Sequence, residues 1–275
     1  TFAEASMSRT ILITGSTDGI GLATANRLVT LGHHVLLHGR NPAKLETTQQ
    51  SLSRLPGGER VEAYVADLSH LPDVARLAQA VTEKHSQLDV LINNAGVFRA
   101  PKPVLENGLD VRFAVNTISP YLLTQRLLAL LGKSGRVINL SSAAQAPVDP
   151  EALAGRVELP DGTAYAQSKL ALTMWSRSMA LSLGDGGPAI ITVNPRSMLG
   201  SKMVKEAYGV AGGDLRIGAE ILARAALSDE FAAASGQYFD NDIGQFASPH
   251  PDALNTQKCE AIVRFIETVL AEIIK

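Results

Sequence analysis

Short, nearly continuous apolar runs alternate along the chain with longer stretches of helical periodicity. The runs predict strands over 10–14, 34–38, 61–65, 90–92, 136–140 and 189–193, with a short one near 237–239. The periodic stretches predict helices over 20–31, 42–54, 71–86, 105–131, 164–183, 214–227 and 256–273. Two helix starts are marked chemically. Asn41 stands before Pro42, a capping residue ahead of a proline at the first helical position, and Ser69 leads similarly into Leu71-Pro72-Asp73. Strands without polar alternation are buried on both faces, as in a parallel sheet covered by helices. The alternation therefore predicts a doubly wound α/β fold of about seven strands, with ligands at the carboxyl ends of the strands. One long irregular stretch, 143–163, carries Pro147, Pro150 and Pro160. A loop of that length is usually functional or mobile.

Composition narrows the class. The chain has 275 residues and is 45% hydrophobic, enough for one large core, and no repeat or linker divides it. We read 9–275 as a single domain and 1–8 as an N-terminal tail, with Met7 the expected native start and Thr1 to Ser6 a remnant ahead of it. The net charge is −2 and no long basic block is present, so neither nucleic acid nor an anionic membrane is an expected partner. No apolar stretch reaches the length of a membrane span. Cys259 is the single cysteine, so an internal disulfide is excluded. A reducing compartment, the cytoplasm, is expected. The six histidines show no metal-ligand spacing, and no metal is expected.

Candidate chemistry begins after the first strand, with Gly15-Ser16-Thr17-Asp18-Gly19-Ile20-Gly21. Three glycines at this spacing allow a sharp strand-to-helix turn. They also let backbone N–H groups approach a pyrophosphate at the positive end of the helix. The spacing is GxxxGxG, and the alternative of a ligand-free tight turn stays open on this segment alone. Downstream lie Asn93-Asn94-Ala95-Gly96, Asn116, Ser141-Ser142 and Tyr165-Ala166-Gln167-Ser168-Lys169. Tyr165 and Lys169 share one helix face, and an ammonium beside a phenol lowers the phenol pKa from about 10. Such a tyrosine exchanges a proton with a carbonyl or alcohol oxygen. At the end of the second strand stands His38-Gly39-Arg40-Asn41, without the carboxylate that would accept hydrogen bonds from the ribose of NAD. The planar fork of Arg40 suits a 2′-phosphate, which favours NADP(H) and leaves NAD(H) possible. Asp18 in the glycine loop counts against a strong preference. Arg40 could instead stack on adenine or pair with Glu46.

In this order the motifs closely resemble the classical short-chain dehydrogenase/reductase family, from about Arg9 to Met203. The spacing from Ser142 to Tyr165 resembles its retinol-dehydrogenase-like branch. The resemblance implies a Rossmann-type fold and assigns roles. Tyr165 is the proton donor or base, Lys169 lowers its pKa and binds the nicotinamide ribose, and Ser142 positions the substrate oxygen. Asn116 holds a water that relays protons to Lys169. Asn94, Ala95 and Gly96 support the sheet and line the adenosine side, Asp67 with Leu68 contacts adenine, and Pro195, Ser197 and Met198 lie at the carboxamide. The expected activity is hydride transfer between NADP(H) and an apolar ketone or aldehyde, or the matching secondary alcohol. An epimerase or dehydratase on the same scaffold, or a non-catalytic dinucleotide-binding regulator, are the alternatives. Relatives form dimers or tetramers through the helices bearing Tyr165 and Asn116, and the branch also admits a monomer.

One departure stands out. Arg196 occupies the position after Pro195 where the family has glycine, and a side chain there would be strained if the backbone kept φ > 0. Either the backbone differs, or Arg196 reaches toward the active-site mouth or a cofactor phosphate. The family threonine that follows is also missing. The segments 143–163 and 197–213 are expected to shape the substrate pocket.

Overall fold

The computed structural model describes residues 7–275; the expectations for Thr1 to Ser6 lie outside the described residues. One eight-stranded sheet has the order β3-β2-β1-β4-β5-β6-β7-β8. Its strands are β1 (Thr10–Ile13), β2 (His34–Gly39), β3 (Glu62–Val65), β4 (Val90–Asn93), β5 (Arg136–Leu140), β6 (Ala189–Asn194), β7 (Tyr238–Asp240) and β8 (Gln245–Ala247). The first seven pair in parallel, and β8 returns antiparallel along β7. The strand order reverses between β1 and β4, which opens a crevice at their carboxyl ends, the usual ligand position in such sheets.

Two cores, one on each face, explain the continuous apolar strands. In β1, Leu12 packs into one core while Ile11 and Ile13 pack into the other, and all three are fully buried. Each such side chain contributes roughly 1.5–3 kcal/mol by leaving water. Helices α1 (Gly19–Thr30) and α2 (Pro42–Ser53) follow the first two strands, and α3 (Leu71–Lys84) follows β3. The stretch predicted as one helix over 105–131 begins later and is broken in register: α4 (Val111–Phe113), a π-turn (Ala114–Ile118) and α5 (Ser119–Leu131). Its start is delayed by a turn with Gly108 at φ 87° and a bridge between Val104 and Asp110, after which Asp110 accepts from the Arg112 N–H as a cap.

The expected irregular stretch contains α6 (Pro150–Leu153), capped by Asp149, and ends where α7 (Asp161–Leu183) begins. Polar–apolar alternation is absent from α7 because several elements cover it. The sheet and the π-turn lie on its inner side, and Trp175 donates from its indole to the Thr117 carbonyl at 3.1 Å. The outer side is covered by the C-terminal helix. Short α8 (Lys202–Tyr208) stands over the carboxyl end of the sheet, followed by α9 (Leu215–Leu227), α10 (Asp229–Ala232) and α11 (Thr256–Ile273). The last buries Cys259, Ile262, Ile266 and Val269 in the same core as Leu170 and Met174. Among the described residues no helix is long and apolar enough to cross a membrane.

Candidate active site

The glycine loop is braced from two sides. Gly15 and Gly19 adopt φ 62° and 56°. At Gly21 a Cβ would lie 2.2 Å from the Gly15 carbonyl oxygen, so only glycine fits. Asn94, at the end of β4, donates from Nδ2 to the carbonyls of Thr14 and Gly15, both at 3.0 Å. Thr14 Oγ1 accepts from the N–H groups of Asn94 and Ala95. On the other side, His38 Nδ1 accepts from the Gly15 N–H at 2.9 Å, so its Nε2 donates to the Ala66 carbonyl, also at 2.9 Å. Burial holds the His38 pKa below its usual value, which keeps the ring neutral and able to accept. Ser16 is engaged with the same residue: its N–H donates to the His38 carbonyl and its Oγ accepts from the His38 N–H. Ser16 therefore braces the loop.

The open donors lie one step further on. Asp18 precedes α1 with extended backbone and makes no side-chain cap, and the first turn holds no acid. Uncapped N–H groups at the positive end of a helix, beside glycines, fit a pyrophosphate. Asp18 instead pairs with Lys44 at 2.7 Å. Sequence reasoning missed this pairing, which neutralises the Asp18 carboxylate of the glycine loop. Arg40 is exposed. Gly39 leaves room for Thr17, whose Cγ2 would lie 2.6 Å from a Cβ at that position. Asn41 is spent capping α2 through Lys44 N–H. Asp67 Oδ1 accepts from the N–H and hydroxyl of Ser69, a local turn, while Leu68 points into the core.

The candidate reactive group sits where β5 ends and α7 passes. Ser142 is half-buried; its hydroxyl lies near enough to the Tyr165 phenol to lower the phenol pKa. Ser141 is turned inward to Thr173 Oγ1 at 2.7 Å, which leaves the second serine of the pair facing the site. Lys169 is 4% exposed, and its Nζ donates to the Leu140 carbonyl at 2.8 Å. Burial without a counter-ion pushes its pKa down to about 8. The expected lowering of the Tyr165 pKa is not realised here. Burial pushes it up to about 12, the nearby Ser142 hydroxyl opposes this, and Tyr208 adds to it. Lys169 Nζ lies 5.7 Å from the phenol ring centroid, too far and too engaged with Leu140 to offset the desolvation. Asn116 lies in the π-turn, and its side chain pairs with the backbone of Val97 in both directions, at 2.8 and 2.9 Å, and reaches Ser168 Oγ at 3.0 Å. With that side chain fully engaged, any proton relay at Asn116 would use its main chain. Gly96 forms the floor: a Cβ there would meet Asn116 Oδ1, Met203 Cε and Lys169 Nζ at 3.5–3.6 Å.

Phe98 was not singled out by sequence, because it belongs to no motif and a lone aromatic after NNAG carries no spacing signal. Its ring stands 4.8 Å from that of Tyr165 and 6.2 Å from that of Tyr208.

At the far end of the cradle the backbone does not relax around Arg196, which adopts φ 140°, and Met198 follows at φ 57°. Asp242, in the turn between β7 and β8, holds this segment. It accepts from the Ser197 N–H at 2.9 Å, from the Ser197 hydroxyl at 2.6 Å and from Asn194 Nδ2 at 2.9 Å. Burial would raise the Asp242 pKa, but these bonds and the Arg196 charge outweigh it and hold it below the usual value. Asn241 donates to the Pro195 carbonyl at 2.8 Å. Both Ser197 donors are thus taken by Asp242, and the Met198 carbonyl by the Gly213 N–H. Such backbone positions cost about 1–3 kcal/mol. Arg196→Gly is therefore expected to raise unfolding stability by about 1–2 kcal/mol, after the extra entropy of glycine in the unfolded chain, and to tighten nicotinamide binding. Urea denaturation beside cofactor titration measures both; an unchanged or lower midpoint rejects the strain.

Comparison with known proteins agrees with this geometry. The family model for short chain dehydrogenases matches residues 9–209. The chain is 30% identical to human retinol dehydrogenase 13, over 89% of this chain and 79% of that protein. It is likewise 30% identical to bovine retinol dehydrogenase 12, over 92% and 84%. Among solved structures, an angucycline C-6 ketoreductase with bound NADP superposes with a TM-score of 0.68 at 26% identity, covering 85% of this chain and 93% of that one. The protein belongs to the short-chain dehydrogenase/reductase family of oxidoreductases, in its retinol-dehydrogenase-like branch.

Proposed function

We propose that this oxidoreductase reduces apolar ketones or aldehydes with NADPH, or oxidises the matching secondary alcohols with NADP. The observation that carries the reading is the Tyr165 phenol with the Ser142 hydroxyl and buried Lys169 near it, together with a glycine cradle and an exposed Arg40 at the end of β2. A bound nicotinamide supplies or accepts the hydride. The Ser142 hydroxyl holds the substrate oxygen, and Tyr165 donates its proton to that oxygen as the C–O bond becomes an alcohol. Lys169, charged below about 8, favours the phenolate left behind. Phe98, Met203 and Tyr208 offer the substrate an aromatic and apolar wall. Retinol dehydrogenases and a ketoreductase with bound NADP among the similar proteins support both the cofactor and the apolar substrate.

The test is consumption of NADPH and NADH with a panel of small and bulky aryl ketones, run against pH in both directions. Burial favours the protonated phenol, so the acid needed for reduction is present throughout the neutral range. Reduction is expected to hold its rate up to about 8 and to fall above as Lys169 loses its charge. Oxidation needs the phenolate, so its rate is expected to rise with pH. Parallel pH profiles in the two directions, or no ketone-dependent oxidation of either cofactor, would reject the assignment.

A further inference from the structure

The segment from Leu199 to Gly213 is closed at its base and loosely held at its tip. At the base Leu199 bridges Gly213, and the Gly200 N–H donates to the Gly213 carbonyl at 2.6 Å. Between these ends α8 has no buried residue. It nonetheless sends Met203 toward the floor of the site at Gly96, and Tyr208 toward Phe98. A helix whose apolar residues, Met203, Val204 and Ala207, are only half-buried is weakly held by apolar burial, so polar contacts weigh in holding it over the site.

We propose that Arg99 is the latch that holds this lid closed, a role that rests on the reductase reading of the site beneath it. The Arg99 guanidinium touches both parts. Its Nη1 donates to the Glu206 carbonyl at 3.2 Å, in the last turn of α8, where the helix dipole is negative. Its Nε lies 3.5 Å from Asp161 Oδ2, in the first turn of the catalytic helix α7. Asp161 is itself fixed from below. Its other carboxylate oxygen takes Arg112 Nη1 at 2.7 Å, and Arg112 is 1% exposed and also pairs with Asp110. The latch therefore has a rigid end, buried Arg112 through Asp161, and a movable end, the backbone of α8. The adjacent Phe98 doubles the connection by contacting Tyr165 and Tyr208 with its ring. Arg99 touches none of the reacting groups. It is a positioning residue that sets how long the mouth stays closed over a bound substrate.

Lys202 and Lys205 lie on α8 and are exposed, so trypsin reports lid opening directly. The full chain, with and without NADPH, is digested under native conditions and cleavage after these two lysines is followed by mass spectrometry. Arg99→Ala is expected to speed that cleavage about twofold to fivefold, the range open to exposed charge contacts when cleavage reads the open population. About 0.5 M salt should speed cleavage of the parent protein and leave the variant unchanged. For a bulky ketone the variant is expected to raise KM while kcat holds, and Arg99→Lys, which keeps the charge but loses the fork, to fall between the two. Equal cleavage rates in parent and Arg99→Ala overturn the latch. If cleavage differs but no ketone is reduced by either protein, the latch stands and the reductase reading fails.

Discussion

Replacing Tyr165 with phenylalanine is expected to lower turnover by about 10²–10⁴-fold while leaving cofactor binding intact. The ring packs 4.8 Å from Phe98 and would keep that contact without its hydroxyl, so the fold around it has no reason to change. What disappears is the hydroxyl that faces Ser142. Three of its polar neighbours are already committed elsewhere. The Asn116 side chain is fully bonded to Val97 and Ser168, Ser141 is turned to Thr173, and Lys169 donates to Leu140. Steady-state rates beside a fluorescence titration with NADPH separate the two effects. Turnover retained near the parent rate would sink the mechanism; loss of both turnover and binding would show that the phenol also orders the cofactor.

Arg40→Asp is expected to weaken NADPH binding by about 10–100-fold and to leave NADH binding within a few-fold. One charge-assisted contact to a phosphate contributes roughly 1.5–3 kcal/mol, and the new carboxylate would repel the phosphate as well. Asp18 argues against a phosphate reader only while it is viewed as an isolated acid. In the folded protein it is paired with Lys44 at 2.7 Å, so the glycine loop presents a neutralised pair, and Arg40 is exposed. Parallel titrations with both cofactors give the ratio directly. An unchanged ratio would mean that Arg40 stacks on the base or faces solvent.

The strands were legible because a two-sided sheet leaves runs such as Ile11-Leu12-Ile13 with no polar interruption. The start of α2 was legible because its cap is local chemistry. The elements that sequence missed are short and held by distant partners. Strand β8 pairs only with β7, α6 is one turn long, and α8 has no fully buried residue to impose a periodicity. The π-turn at Asn116 cannot be read from spacing either, since it is stabilised by Val97, Ser168 and Trp175 from elsewhere in the chain.

The sequence alone determined the fold class and the family, and it singled out Tyr165, Lys169, Ser142 and the glycine loop as candidates, because these readings depend on residue types at short, fixed separations. Only the tertiary structure decided how those groups are tuned. It set burial against charge at Tyr165, and burial won. It placed Lys44 against Asp18, spent Ser16 on His38 and Ser197 on Asp242, and kept Arg196 at φ 140° instead of letting the turn relax. Each of these is an interaction between residues far apart in the chain. Its sign depends on desolvation and on competing hydrogen bonds, which no separation along the sequence encodes.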